Sequence, residues 1–225
     1  MKRLCLGVMT LSLVVVCASV AMADSVLQVG DTIRFYNREG SLAGEFGVGL
    51  VGANEPELFR TFCMQHSEYM DFDSHGFRVA GISDYSETDH KALAPETAYL
   101  YYHFIFGGLK TPYDHGNGTG QHAQDADALQ QAMWKYQQQI NYELTGKAKV
   151  FYDEAYAAVH GQDAEWEGLG PVRILNLRWA TSRNGFATGS AAQDQLIVIP
   201  FPTAAWMGAG LLGAVFSVRR LRRAK

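Results

Sequence analysis

Cysteine is scarce in this chain of 225 residues. Cys5 and Cys17 lie in an apolar stretch at the N-terminus, and removal of that stretch leaves one thiol, Cys63. A disulfide framework within one mature chain is therefore excluded. The remaining thiol is a buried inert group, a link between chains or a reacting group. Positive charge is equally thin between the ends. Seven of the 19 Lys and Arg lie in the first three and last seven residues, which leaves twelve against all 23 acidic residues, a net charge of −11. Phosphate binding needs a basic surface, so nucleic acid is not expected as a partner. An acidic body favours solubility outside the cell. Internal repeats and zinc-type ligand spacings are also missing, and no cofactor or metal is implied.

The two ends supply what the middle lacks. Met1-Lys2-Arg3, an apolar run to Met22 and the small residues Ala21 and Ala23 describe a secretory signal, cut after Ala23. At the other end Pro200 and Pro202 lead into Ala204 to Val218, fifteen residues without a charge, followed by Arg219, Arg220, Arg222, Arg223 and Lys225. As a helix that run reaches about 22 Å, short of the ~30 Å of a bilayer core, and the basic cluster holds the C-terminus on the cytoplasmic side. Prolines, short apolar span and arginine cluster resemble the PEP-CTERM sorting signals of Gram-negative bacteria. Val198 to Trp206 is similar to the variant V-P-L-P-A-A-x-W, with Phe201 where the eponymous motif has Glu. The resemblance implies processing by an exosortase and a transient or permanent hold on the inner membrane. It also implies a final place at the cell surface or in the extracellular matrix. Three segments follow: signal 1–23, ectodomain 24–197 and sorting segment 198–225.

The ectodomain is long enough for one core. Strand character runs over Ser25–Arg38, Phe46–Val51 and Leu58–Met64, with a polar loop or hairpin from His66 to His90 around Phe77–Ala80. Pro95-Glu96 opens a helix to Phe106 that Gly107-Gly108 ends. A Gly-rich loop precedes a second helix, His122 to Tyr142, and a third spans Lys147 to His160. Strands return at Pro171–Trp179 and Gln195–Ile199, and Gln193-Asp194-Gln195 reads as a sheet-end loop. This order predicts an α+β fold: a β-sandwich or barrel with an inserted helical subdomain.

Two short segments carry chemistry: Thr61-Phe62-Cys63-Met64-Gln65 and Ala128-Leu129-Gln130-Gln131-Ala132-Met133-Trp134. They resemble the paired signatures of surface thioester domains, known from Gram-positive pilus-tip adhesins. The resemblance implies that Cys63 is the thiol and Gln130 the acyl donor of an internal thioester, formed with loss of ammonia. Phe62, Met133, Trp134 and Tyr136 would shield the bond from water. Helical periodicity puts Gln130 at the edge of the apolar stripe Ala126, Leu129, Met133, Tyr136 and Ile140, and Gln131 on the solvated face. The implied function is a single covalent attachment to an amine-bearing surface or matrix macromolecule, without turnover. A non-covalent matrix protein of the same fold is the second expectation, and a secreted cysteine hydrolase using Cys63 and a histidine the third. Asp71 to Ile82 begins like a calcium loop but lacks the closing Glu, and His66, Glu68, Asp71, Asp73 and His75 read as a solvated loop rather than a metal site.

Overall fold

The structure is a computed structural model and describes residues 27–37, 44–52, 57–68, 70, 72, 76–116, 120–182 and 185–199. The expected signal, its cleavage site and the sorting segment from Pro200 onward lie outside the described residues. Among the described residues no helix is long and apolar enough to cross a membrane.

Six strands and three helices follow one another as β1 (Thr32–Asn37), β2 (Phe46–Leu50), β3 (Phe59–Thr61), β4 (Phe77–Ser83), α1 (Pro95–Phe106), α2 (Gly120–Tyr136), α3 (Gly146–His160), β5 (Val172–Trp179) and β6 (Gln195–Val198). The fold is α+β. The strands form one sheet in the order β3-β2-β1-β4-β5-β6, and every pairing is antiparallel. All three helices are inserted between β4 and β5, which are neighbours in the sheet.

Local chemistry explains most boundaries. β1 starts at Thr32, later than the sequence predicts, because Gly30 at φ +102° and Asp31 make a turn. In it the Gln28 N–H donates to the Asp31 carboxylate (2.8 Å). α1 has proline in its first turn and ends at Gly107 in the left-handed region. α2 ends at Tyr136, six residues before the expected Tyr142, through Gln138 at φ +54°. The Gln139 N–H reaches back to the Trp134 carbonyl (2.8 Å), a Schellman-type closure, and the Lys91 ammonium caps the carbonyls of Gln137 and Gln138. β4 is a correction of a different kind. Its seven residues lie at the centre of the sheet, not in a loop-borne hairpin, and a bulge between Val79 and Gly81 shifts its register against β5.

The core is a single cluster that joins the inward residues of β1, β2, β4 and β5 to those of the helices, with Phe35, Phe62, Tyr99, Tyr101, Leu129 and Phe151 among its largest fully buried members. The segment just after β3 binds the start of β6. Leu196 N–H donates to the Phe62 carbonyl (3.1 Å), Met64 N–H to the Asp194 carbonyl (2.9 Å), and Cys63 faces Gln195 as an antiparallel bridge. The two edges of the sheet order therefore meet at Cys63.

Candidate functional site

Cys63 is held from two sides. On one side lies the β6 pairing, reinforced by the Thr61 hydroxyl, which donates to the Leu196 carbonyl (2.7 Å) and accepts from the Leu196 N–H (3.1 Å). On the other side stands α2. The Gln130 amide oxygen accepts from the Cys63 N–H (2.8 Å), and its NH2 donates to the Cys63 carbonyl (2.9 Å). One side-chain amide thus plays the part of a neighbouring strand. The approach is close enough to require glycine at 44, where a Cβ would come within 2.9 Å of Gln130 Cβ, Phe62 Cε1 and the Ala126 carbonyl.

Gln130 and Cys63 are brought together as the sequence predicts, but through the cysteine's backbone. The carbonyl oxygen that meets the sulfur belongs to Gln193. The Cys63 thiol donates to Gln193 Oε1 at 3.0 Å, and the Gln195 NH2 lies 3.6 Å from the sulfur. Both glutamines are buried, and Gln195 Oε1 has no hydrogen-bond partner among the described residues. The Gln193 NH2 donates to the Gln65 carbonyl (2.7 Å). Gln65 and Asp194 lock the same corner: Asp194 N–H donates to Gln65 Oε1 (2.8 Å), and the Asp194 carboxylate accepts from the Ser86 hydroxyl (2.7 Å), Gln65 (3.1 Å) and the Leu177 N–H (3.0 Å).

Burial dominates the electrostatics. It pushes the Cys63 thiol up to about 12, against a small opposing effect of the Gln195 hydrogen bond, so the sulfur is protonated at neutral pH. Asp194 is also raised by burial, with its hydrogen bonds pulling the other way. The thiol is free of any disulfide. Both hydrogen-bond partners of the sulfur are amides, and a buried, protonated thiol beside amides is the reverse of a thiolate activated by a histidine.

Of the expected shielding residues, Phe62 is fully buried edge-on against Phe104 (5.0 Å), Met133 is buried, and Trp134 is buried with His66 edge-on to it (4.7 Å). Tyr136 turns elsewhere and stacks on Tyr152 of α3 (4.2 Å). Gln131, expected on the solvated face, is half-buried.

Sequence reasoning missed the Gln193–Asp194–Gln195 half of the site. A run of three polar residues beside the apolar Leu196–Ile199 strand was the available signal. It also missed the support beneath the site: Glu45, buried at φ +46°, is bound by Arg60 (3.0 Å), His122 (2.6 Å) and the Tyr113 hydroxyl. Burial and the Glu45 charge hold the Tyr113 phenol well above its ordinary range. Among the described residues no cluster of three or more His, Cys, Asp or Glu is arranged to hold a metal.

The sulfur lies beside an amide carbonyl, in a pocket from which bulk water is excluded, and the neighbouring polar groups hold both partners in place. In comparisons with known proteins, no protein-family model matches the chain, no curated protein matches it and no solved structure matches it.

Proposed function

We propose that the chain is an exported cell-surface domain that forms an internal thioester at Cys63 and uses it once, to link itself covalently to an amine-bearing partner. The observation that carries this reading is the 3.0 Å approach of the Cys63 sulfur to the Gln193 carbonyl oxygen inside a buried cluster of amides. Gln193 takes the acyl role that the sequence resemblance gave to Gln130, and Gln130, with both amide groups engaged by the Cys63 backbone, positions the thiol. In the first step the Sγ–Cδ bond forms, the Cδ–Nε2 bond of Gln193 breaks, and the thiol proton leaves with the nitrogen as ammonia. In the second step an amine attacks Cδ, the Cδ–Sγ bond breaks, and a proton from the amine restores the thiol. The amide product no longer carries a sulfur leaving group, so the reaction does not turn over.

Burial of the site gives the bond a lifetime. Water is held off by Phe62, Met133 and Trp134, and a thiol as basic as this one leaves reluctantly. The terminal segments add the route to the surface: signal 1–23 exports the chain, and the segment with Pro200, Pro202, Arg219, Arg220, Arg222 and Arg223 presents it to an exosortase-type enzyme at the inner membrane.

Intact mass tests the reading. The secreted protein should be about 17 Da lighter than its sequence, the mass of one lost ammonia. Cys63→Ala and Gln193→Ala should each restore full mass, while Gln131→Ala should not. Alkylation of the native protein is a poor substitute, because a thiol this buried resists alkylation whether or not it is acylated. A full-mass wild-type protein would leave the non-covalent matrix protein in place of the thioester domain.

A further inference from the structure

An open cleft of about 670 Å³ lies beside the shield of the sulfur, lined by His66, Lys135, Gln138, Gln139, Ile140, Asn141 and Tyr142. Two of its walls join the site directly. His66 is three residues beyond Cys63 and sits edge-on to Trp134, while Lys135 follows Trp134 on α2. The early end of α2 at Gln138 makes the cleft, since the chain leaves the helix there and turns through Asn141 and Tyr142. Its lining has a consistent chemistry. It carries three side-chain amides, an aromatic ring that is 47% exposed and no carboxylate. Gln139 is occupied as a brace, accepting from the His66 N–H (3.4 Å) and donating to Asp89, which leaves the exposed Gln138 and Asn141 to meet a ligand. The Lys135 ammonium donates to the Tyr142 carbonyl (2.8 Å). The indole N–H of Trp134, 93% buried, has no acceptor among the described residues. A buried donor of this kind is costly to leave unmade.

We propose that this cleft receives a sugar unit bearing a free amine, so that the partner of the thioester is an amino-sugar polysaccharide. The proposal rests on the thioester reading for its covalent step and on the cleft alone for recognition. Amide groups that both donate and accept match sugar hydroxyls, and the Tyr142 ring offers a face to the C–H side of a pyranose. A protein lysine would enter as a cation on a long stem, and the cleft holds Lys135 and no carboxylate to receive it. The same Lys135 charge favours the neutral form of an amine held near it, the only form that attacks a carbonyl.

The test uses the full chain and four probes: a glucosamine tetramer, its fully N-acetylated counterpart, a blocked lysine peptide and methylamine. The glucosamine tetramer should add to the protein at least about tenfold faster than methylamine, because a docked amine reacts at a raised effective concentration. The acetylated tetramer should compete without adding. Asn141→Ala and Tyr142→Ala should bring the ratio of the two rates toward one, while Tyr156→Ala, an exposed aromatic on α3, should leave the ratio as it is. Equal rates for the glucosamine tetramer and methylamine, or a lysine peptide that outpaces both, would overturn the proposal. Should the protein add no amine at all, the thioester reading fails and the cleft is judged by binding of the acetylated tetramer. Saturable binding that Tyr142→Ala abolishes supports the cleft, and its absence in the wild type refutes it.

Discussion

The state of the Cys63 sulfur decides what the surrounding residues are for, and pH reads it. With the thiol free, as it is after amine treatment under the proposed function, the folded value near 12 stands above the unfolded value of 9.0. The unfolded chain therefore sheds its proton first. Stability from this group is intact below pH 9 and is lost as pH rises from about 9 to 12, by at most about 4 kcal/mol. The difference in unfolding free energy between the amine-treated protein and Cys63→Ala should show this slope, and the untreated thioester form should not. A flat difference would mean that the thiol is exposed. Gln130 makes a different prediction. Gln130→Ala strips partners from two buried backbone groups and should destabilise by about 2–4 kcal/mol, whereas Gln193→Ala should mainly abolish the loss of ammonia. The sequence made Cys63 and Gln130 visible because a lone thiol and a glutamine at the edge of an apolar helix stripe are local signals. Gln193 was hidden because its place depends on a pairing between residues about 130 apart in sequence.

At the scale of the element, α2 carries the site on one face and solvent on the other. Met133→Ala should destabilise by about 2–5 kcal/mol through the cavity it leaves, and Gln131→Ala should be nearly silent in the same denaturation experiment. A comparable loss for both would mean that the helix faces are assigned wrongly. The helix itself was legible from its period, but its end was not. Gln137 to Gln139 contain no glycine or proline, and the stop comes from Gln138 in the left-handed region with Lys91 closing the carbonyls, a tertiary contact. β4 was obscured for a related reason. Polar residues flank Phe77–Ser83 closely, and only its position between β1 and β5 makes it a central strand.

Across the whole molecule, the helical insert between β4 and β5 was legible as a block, while the meeting of the sheet's edges at Cys63 was not. Under the proposed sorting role, replacement of Arg219, Arg220, Arg222 and Arg223 by neutral residues should weaken a hold of the C-terminus on the cytoplasmic side, measured as new access of external protease to a C-terminal tag. Unchanged protection would show that the basic cluster does not set orientation. The pairing of Cys63 with the start of β6 has a mechanical consequence. Under the proposed function, a partner attached at Gln193 and an anchor beginning beyond Ile199 would be separated by β6 alone, about 20 Å of extended chain. Tension between partner and cell then runs along a single strand, and the rest of the domain hangs beside the load without bearing it. Pulling on the linked protein in a single-molecule force experiment should lengthen it by almost nothing before rupture. A link carried by Gln130 would put α3 and β5 in the path, and their unravelling would release about 200 Å or more.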